Sequence, residues 1–509
     1  MTYEELLQEN HEQKLQIAAL QFRLDQLERA IRGSRRERFV PDNTESQITL
    51  FEQEITDAFN APKEAEKEEQ PVTEVRKRKP KKVNRNTFPA HLLRVESLIQ
   101  PEDYQEGFKK IGQDVTEILK YTPLQLEVLK IVRPRYTDPH ATEDTIHQAN
   151  IPPRIIPRGL VDDSVVAGLI TEKFEYHMPV FRFVKKMKNA GIDFIHAKHC
   201  YNYLAKAGEL MQPIHALMHK EVLNSKYVQM DESGIRVLSQ DKEHGKQRGC
   251  MWVMFAPTSG LVLFNYRPSK EKHHAYDLLD GYKGVLQSDG NSTYQSIADV
   301  PPEVKIMGRY SIQLTAFLNC WAHTRRKFYE AKDLDPTLIN PILVDIQQLY
   351  AIEKQTSKEN LTAQQCYDLR QEYALPVLDA IKEKLDNAIL TNLTGPVKTA
   401  IQYTIKRWSQ LSNYISDGNY KIDTNLLENK IRLLALGRKN YLFAKTDETA
   451  QHIATFYSIV ATCQAHGLNT FDYLCWLFRK INTEKITDDA TYWLPHKVDR
   501  TQFEDGVGG

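Results

Sequence analysis

Two short stretches decide the fold: Lys226-Tyr227-Val228-Gln229-Met230-Asp231 and Gly284-Val285-Leu286-Gln287-Ser288-Asp289. Each is rich in apolar and β-branched side chains, which predicts a strand, and each strand is expected to end on its aspartate. Between them, residues 251–255 and 261–266 flank a turn that contains Pro and Gly, which predicts a hairpin, and a helix is expected at about 271–279. The order strand, hairpin, helix, strand predicts a mixed sheet flanked by helices.

That order is the opening order of a ribonuclease H-like α/β core. Asp231 and Asp289 lie 58 residues apart (289 − 231), and a third acid, Glu428, lies in a predicted helix. Cleavage of a phosphodiester needs an activated attacking oxygen and a stabilised leaving oxygen, and two divalent ions roughly 4 Å apart provide both. Magnesium prefers oxygen ligands. Three carboxylates brought together at one edge of the sheet are therefore a candidate site for two Mg²⁺ ions.

Each of these acids also has a structural alternative. An aspartate at the end of a strand commonly closes a turn. Asn425, followed three residues later by Glu428, fits a capping box at the start of a helix. Spacing alone leaves the catalytic and structural interpretations open.

Length, charge and cysteine usage limit the class of protein. A chain of 509 residues is long enough for two to four domains, and its 67 basic residues balance its 67 acidic residues. Affinity for DNA would therefore have to come from local basic patches. Six isolated cysteines without a C-x-x-C pair indicate reduced thiols and exclude a classical zinc finger. Neither a signal peptide nor a membrane-spanning stretch is evident, so we expect a cytoplasmic protein that is nucleoid-associated when bound to DNA.

The composition divides the chain into eight predicted segments. In order, they are a coiled-coil dimerisation helix (1–33), a disordered linker with a basic run (34–87), a small β-rich module (88–157), a helical segment that resembles helix-turn-helix (158–222), the first part of the ribonuclease H-like core (223–323), an all-α insertion (324–415), the second part of the core with Glu428 (416–450) and a C-terminal helical tail (451–509).

Three of these segments are candidates for dimerisation or DNA contact. Seven of nine heptad seam positions between residues 3 and 31 are apolar or aromatic, which favours a coiled coil over an amphipathic helix packed on its own chain. Seven cations in residues 76–85 suit either DNA phosphates or a solvated charge run. Predicted helices at 179–188 and 197–217, joined by a Gly-containing turn, suit helix-turn-helix, with Lys185 and Lys186 toward phosphate, or an ordinary helical hairpin.

Four ordered motifs carry a resemblance to a known family. They are Asp231-Glu232-Ser233; Asp289-Gly290 with Tyr294; Cys320-Trp321-Ala322-His323 with Arg325-Arg326-Lys327-Phe328; and Asp423 to Arg432, followed by Gly437-Arg438-Lys439-Asn440 and Leu442-Phe443. Together they resemble the insertion-sequence 66 family of transposases, and the similarity in layout extends from the N-terminal zipper to Trp493-Leu494-Pro495.

The resemblance implies a DDE transposase in which Asp231, Asp289 and Glu428 are catalytic and hold Mg²⁺, with Mn²⁺ as a possible substitute. Its partners would be transposon-end and target DNA, a second copy of the chain in a homodimer or larger assembly, and accessory transposition proteins. On this interpretation, phosphate contacts are expected from Arg325, Arg326, Lys430, Arg432, Arg438 and Lys439.

The sequence departs from the family pattern in three ways. The family usually has Thr at Ser233, Asn at Thr424 and Arg at Asn429, and the last change removes a fork-shaped phosphate contact. Residues 1–199 contain no cysteine, so no zinc is predicted in the module at 88–157, where relatives commonly bind it. Cys320 and His323 have the spacing of half a zinc site, but we favour packing for Cys320 and presentation of His323 toward DNA.

The predicted function is metal-dependent cleavage at transposon ends followed by strand transfer into target DNA. One alternative is a ribonuclease H-like nuclease that cuts without joining, for which the coiled coil and the helical hairpin would be superfluous. A second is a non-catalytic DNA-binding protein derived from a transposase, which the presence of all three acids disfavours.

Overall fold

The computed structural model describes residues 153–504, apart from residues 158, 239–245, 302–303 and 392, together with residues 126, 128, 135–137 and 146–148. The predicted coiled coil, the linker with its basic run and most of the module at 88–157 lie outside the described residues. Residues 62–150 form a unit of their own, in which strand β1 (Arg135–Thr137) pairs antiparallel with β2 (Ile146–Gln148). The division into eight segments stays a prediction.

The remaining described residues contain sixteen α-helices. In chain order they are α1 (Asp163–Phe174), α2 (Val180–Asn189), α3 (Ala197–Leu210), α4 (Gln212–Leu223), α5 (Lys272–Leu279), α6 (Ser292–Ala298), α7 (Trp321–Ala331), α8 (Pro336–Lys358), α9 (Ala363–Leu369), α10 (Leu375–Ile389), α11 (Gly395–Lys406), α12 (Trp408–Ser412), α13 (Asn425–Tyr441), α14 (Asp447–Ala465), α15 (Thr470–Thr483) and α16 (Thr501–Glu504). A π-helical turn, Arg370–Ala374, joins α9 to α10, and 3₁₀ turns occupy Asn413–Ser416 and Ala490–Trp493. Within the described part of the chain, no helix is both long and apolar enough to cross a membrane.

The central sheet has five strands: β3 (Tyr227–Leu238), β4 (Lys246–Ala256), β5 (Leu261–Arg267), β6 (Lys283–Ser288) and β7 (Gln313–Asn319). Their order is β5-β4-β3-β6-β7. The first three form an antiparallel meander, whereas β6 pairs parallel with β3 and β7 pairs parallel with β6. This mixed sheet flanked by helices is consistent with a ribonuclease H-like core.

Helix α14 covers the outer edge of β5, the strand at one end of the sheet. The hydroxyl of Ser458 accepts a hydrogen bond from the amide of Phe264 (2.8 Å), and the hydroxyl of Thr462 accepts one from the amide of Val262 (3.1 Å). Four residues of helix and two residues of strand both span about 6 Å, so the two hydroxyls meet alternate residues of β5. The helix thereby satisfies backbone groups that an open edge strand would expose for pairing with another chain.

A helical body lies between β7 and α13 in the sequence. Its core is formed by side chains from α7, α8, α10 and α11, including Trp321, Ile342, Ile381 and Ile401. The indole of Trp321 donates to the carbonyl of Leu411 (2.7 Å), which satisfies its one buried polar group. Helices α8, α10 and α11 of this body all lie between residues 324 and 415, where the sequence predicts helices.

A buried arginine holds the segment by which the chain leaves the helical body. Arg370 pairs with both carboxylate oxygens of Glu353, at 2.8 and 2.6 Å. Its remaining donors reach the carbonyls of Tyr414 (3.1 Å), Asp417 (2.7 Å) and Tyr420 (2.9 Å). Because these carbonyls lie on the segment that leads into α13, the position of that segment depends on Arg370.

Three sequence-based expectations differ from the structure. Strand β3 does not end on Asp231, because residues 232–238 continue to pair with β4. Strand β7 was not predicted, since only its last three residues are buried and its apolar pattern is weak. The helix expected at 197–217 is divided at Met211, because Pro213 occupies the first turn of α4, where a missing amide hydrogen costs nothing.

Candidate active site

Asp231 lies in the middle of β3, the central strand. Its Oδ1 accepts a hydrogen bond from the amide of Glu232 (2.7 Å). Asp231 itself pairs with Val253 of β4, and residues 227–229 just before it pair with β6, which holds this part of the strand in place. The backbone, rather than a flexible loop, therefore fixes the direction of the carboxylate.

Asp289 immediately follows the neighbouring strand β6. Its Oδ1 accepts from the amide of Asn291 (3.0 Å), and Arg407 Nη2 donates to the carbonyl of Gly290 (2.8 Å). A Cβ atom on Gly290 would lie 2.2 Å from the hydroxyl of Tyr403, so a larger residue there would require a shift. Helix α11 and the residue after it thus pack directly against the turn that carries Asp289.

Glu428 is the fourth residue of α13. Asn425 is the first residue of that helix rather than its N-cap, and the carboxylate of Asp423 accepts from the Asn425 amide (3.0 Å). This register is one residue away from the capping box that the sequence allowed. Glu428 Oε1 instead lies 3.9 Å from His323 Nε2, at the start of α7.

The three carboxylates act on one another. The pKa of Asp231 is raised to about 7, first by burial and then by the negative charges of Asp289, Glu232 and Glu428, against the lowering effect of the hydrogen bond from the Glu232 amide. Within the described residues, however, only one trio of His, Cys, Asp or Glu, on α5, has ligand atoms that all lie within 4.8 Å of one another. The three acids therefore share a field of negative charge but are spaced more widely than ligands of a single ion.

Two buried glutamines connect the three elements that carry these acids. Gln229 and Gln287 lie opposite each other on β3 and β6, and each precedes its aspartate by two residues. Gln229 Nε2 donates to Gln287 Oε1 (2.7 Å) and to the carbonyl of Asp423 (2.9 Å), and Gln287 Nε2 donates to the carbonyl of Lys421 (2.8 Å). The segment that leads to Glu428 is therefore hydrogen-bonded to both aspartate-bearing strands.

A family model described as "Transposase IS66 family" matches residues 158–452, which is more than half of the chain. The chain belongs to the IS66 transposase family. The matched span contains Asp231, Asp289, Glu428 and both glutamines. The resemblance carried by the sequence motifs is thereby confirmed.

The chain is also similar over most of its length to three proteins of Sinorhizobium fredii (strain NBRC 101917 / NGR234) that are described as uncharacterized. It is 27% identical to y4hP over 490 residues, covering 91% of this chain and 85% of that protein. It is 26% identical to y4qI over 485 residues, covering 91% and 86%. It is 24% identical to y4jD over 418 residues, covering 79% of each.

A fourth carboxylate, which the sequence did not single out as a site residue, lies beside Asp231. Glu232 is nearly buried, with 7% of its side chain exposed, and Lys270 Nζ lies 3.7 Å from its Oε1. Asn291 Nδ2 donates to Oε1 (2.9 Å) and the Tyr294 hydroxyl donates to Oε2 (2.7 Å). The family motifs that contain Asp231-Glu232 and Asp289 with Tyr294 are therefore in direct contact, which explains why these residue types occur together.

Helix α13 presents different cations on different sides. Leu427, Lys430, Leu434 and Gly437 follow a helical stripe that faces the protein, and Lys430 is accordingly only 6% exposed. Such burial does not suit the phosphate contact expected of Lys430. Arg432 and Lys439 are exposed, and they project within about 40° of Glu428 when the helix is viewed down its axis.

The other predicted DNA-binding residues occupy varied environments. Arg438 is half-buried, and its Nη1 donates to the hydroxyl of Ser233 (3.0 Å) and to the carbonyl of Gly234, which anchors α13 to β3. Arg326 and Lys185 are exposed, Arg325 is half-buried, and Lys186 is paired with Glu172. Cys320 is buried and accepts a hydrogen bond from the Thr424 amide (3.4 Å), an arrangement that suits packing.

Proposed function

We propose that this chain is a DDE transposase with a ribonuclease H-like core, which cleaves DNA at the ends of a mobile element and joins the released 3′ hydroxyl to target DNA. The observation that carries the proposal is the approach of Asp231, Asp289 and Glu428 from three separate elements, in a chain of the IS66 family. We assign metal binding and catalysis to these three residues.

The donor set suits hard divalent cations. All three side chains offer carboxylate oxygens, which Mg²⁺ prefers, and Mn²⁺ accepts the same ligands. The mutual repulsion that contributes to the raised pKa of Asp231 is the kind of field that a bound cation would offset. Spacing wider than a single ion requires suits a centre of two ions, which Asp231, Asp289 and Glu428 would hold. When bound, such ions would supply the charge that activates the attacking oxygen and stabilises the leaving oxygen.

The residues of the chain would hold and orient this centre. Hydrogen bonds from the amides of Glu232 and Asn291 fix one oxygen of each aspartate before DNA binds. The paired glutamines keep the approach to α13 against both strands, so that Glu428 arrives in a set position. His323, 3.9 Å from Glu428, would interact with the same carboxylate on the side of α7.

We further propose that exposed cations near Glu428 hold the DNA backbone. Arg432 and Lys439 share its side of α13, and Arg326 is exposed on α7, the helix that also carries His323. Their contacts would be with phosphates and would fix register rather than read sequence. Arg325, Lys185 and Lys186 remain candidates, whereas Arg438 would act mainly as the anchor of α13. Action on two ends suits a homodimer or larger assembly, and accessory transposition proteins would be further partners.

The test uses purified full-length protein, Mg²⁺ and DNA that flanks the coding region. Asp231→Asn should reduce cleavage more than about a hundredfold, beyond the 10- to 100-fold typical of residues that only support a ligand. Asp193→Asn, at an exposed aspartate between α2 and α3, is the matched control and should retain activity. Full activity of Asp231→Asn would refute the assignment of the site. Cleavage without joining by the unaltered protein would favour a nuclease of the same fold.

A further inference from the structure

Helix α5 brings three potential metal ligands to one point, away from the carboxylates of the proposed active site. His273, His274 and Asp277 each offer one ligand atom, and these atoms all lie within 4.8 Å of one another. Viewed down a helix, positions i, i+1 and i+4 fall within an arc of about 100°, with Asp277 between the two histidines. Helical side chains lean toward the N-terminus, so Asp277 reaches back toward the pair.

Each of the three side chains also has an outer partner. His274 Nε2 lies 3.1 Å from the hydroxyl of Ser269, and His273 Nδ1 lies 3.3 Å from Oε2 of Glu271. Asp277 interacts with the Tyr310 hydroxyl, and its Oδ1 lies 3.7 Å from Arg309 Nη2. Histidines that bind metals typically give their second ring nitrogen to such a partner, and ligating carboxylates are held in the same way.

The remaining ring nitrogen of His274 is unsatisfied. Its Nδ1 is buried and makes no hydrogen bond with any described part of the chain. A buried polar atom without a partner costs stability, so its retention beside two other donors calls for a ligand. With Nε2 held by Ser269, Nδ1 is the nitrogen that His274 would offer to a cation.

We propose that His273, His274 and Asp277 bind a divalent transition-metal ion of the zinc type. Two imidazoles and one carboxylate suit Zn²⁺, Co²⁺ or Ni²⁺, whereas Mg²⁺ prefers an all-oxygen set. Three protein ligands leave a fourth position for water, while Glu271 holds His273 through its Nδ1. This site is distinct from the one proposed for catalysis and from the cysteine-free N-terminal module.

An ion at this position would stabilise a segment that borders the proposed active site. Ser269 contacts His274, and the next residue, Lys270, lies 3.7 Å from Glu232, which in turn holds Asn291 and Tyr294. Metal binding at the start of α5 would therefore restrict the motion of residues 269–271. We expect occupancy to raise the melting temperature and to leave the fold unchanged.

The test is titration of tag-free full-length protein with Co²⁺, monitored by visible absorption, in millimolar Mg²⁺ to occupy oxygen-only sites. We expect one Co²⁺ per chain, displaced by Zn²⁺, and at least a tenfold loss of affinity in both His274→Gln and Asp277→Asn. His196→Ala is the matched control, because His196 and His199 form another histidine pair, with ring centroids 5.4 Å apart. This control should bind Co²⁺ like the unaltered protein.

The folding of each variant must also be checked. Circular dichroism must show that His274→Gln is folded, and Asp277→Asn provides a second variant if it is not. Unchanged Co²⁺ affinity in a folded variant, absence of stoichiometric binding, or a sulfur-to-cobalt absorption band would overturn the assignment. Asp231→Asn should retain Co²⁺ binding, so failure here is distinguishable from failure of the proposed catalytic site.

Discussion

Gln229 and Gln287 face each other across β3 and β6, joined by a 2.7 Å hydrogen bond from Nε2 of the first to Oε1 of the second. Both are fully buried, and each lies two residues before a proposed metal ligand, so glutamine and aspartate project from the same side of the strand. Through the carbonyls of Lys421 and Asp423, the pair also fixes the approach to α13.

Replacing either glutamine by methionine should reduce catalysis. Methionine keeps the length of the side chain but leaves buried partners without a hydrogen bond, which should cost about 1–3 kcal/mol of stability. The segment that leads to Glu428 would no longer be hydrogen-bonded to both strands, so the position of Glu428 would be less fixed. We therefore expect the cleavage rate to fall while the dissociation constant for DNA stays unchanged. Urea denaturation, cleavage rates and DNA binding measure the three quantities.

Gln313→Met is the matched control for this pair. Gln313 opens β7 opposite Lys283, at the end of the sheet away from Asp289. This variant should have little effect on stability, cleavage rate or DNA affinity. If the Gln229 and Gln287 variants lose stability but cleave normally while folded, the network has a structural role only.

Gly290→Ala should displace Asp289. The added Cβ would lie 2.2 Å from the Tyr403 hydroxyl and 2.5 Å from Arg407 Nε, so the turn or these two side chains must shift. A displacement near 1 Å at a catalytic group can cost about a hundredfold in rate. We expect cleavage to fall tenfold to about a hundredfold with retained DNA affinity.

Gly234→Ala is the corresponding control on β3. An added Cβ there meets no atom of the described chain within 4 Å, apart from its immediate neighbours. Equal losses in both glycine variants would show that contact with Tyr403 and Arg407 is not what fixes Asp289.

Arg370→Met should destabilise the protein. The substitution leaves Glu353 without its partner and removes the donor to three carbonyls ahead of α13. Removing one member of a buried ion pair typically costs about 3–5 kcal/mol. Chemical denaturation should show a loss of that size, and Arg370→Met with Glu353→Leu should recover part of it.

Lys384→Met provides the comparison for a more exposed pair. Lys384 binds Asp345 but is 36% exposed, so its loss should cost less than about 1 kcal/mol. Similar losses of stability in the Lys384 and Arg370 variants would contradict a special role of Arg370 in holding the segment that leads into α13.

Acid should weaken the contact between α4 and β5 at His215. The pKa of His215 is lowered to about 4, chiefly by burial and in part by the nearby charges of His219 and Arg267, against the effect of the Phe264 carbonyl 2.7 Å from its Nε2. The unfolded chain takes up this proton near pH 6.5, so the stabilisation is complete above that pH and declines as pH falls toward 4. The loss should reach about 3 kcal/mol.

Urea denaturation between pH 7 and pH 4.5 tests this expectation against His215→Gln. Glutamine retains a donor for Phe264 but does not titrate, so the variant should lose less stability than the unaltered protein over this range. Parallel pH profiles would show that other groups, such as His496, account for acid sensitivity. The pKa of His496 is also lowered to about 4, chiefly by burial.

The elements that the sequence predicted well are those with strong local patterns. Residues 227–230 before Asp231 and residues 284–288 before Asp289 are all buried, and the hairpin of β4 and β5 has a turn with Pro and Gly. Strand β7 lacked such a pattern because residues 313–316 are only partly buried. Local hydrophobicity therefore identifies well-buried strands better than partly exposed ones.

The site was harder to predict because long-range contacts determine it. The hydrogen bond from Gln287 to Lys421 joins residues 134 positions apart, and nothing near either residue indicates it. The sequence predicts a phosphate contact for Lys430 because it does not reveal which side of α13 is buried. The family resemblance identified the acids, but only packing distinguishes Arg432, which is exposed, from Lys430, which is not.

On the proposed mechanism, the helical body between β7 and α13 also delays activity during translation, because it is synthesised after the two aspartates and before Glu428. A nascent chain that has emerged only through β7 carries Asp231 and Asp289 but lacks Glu428, and α14, which covers the edge of β5, is synthesised later still. On the proposed mechanism, chains that end before Glu428 lack one of the three acids and should not cut DNA.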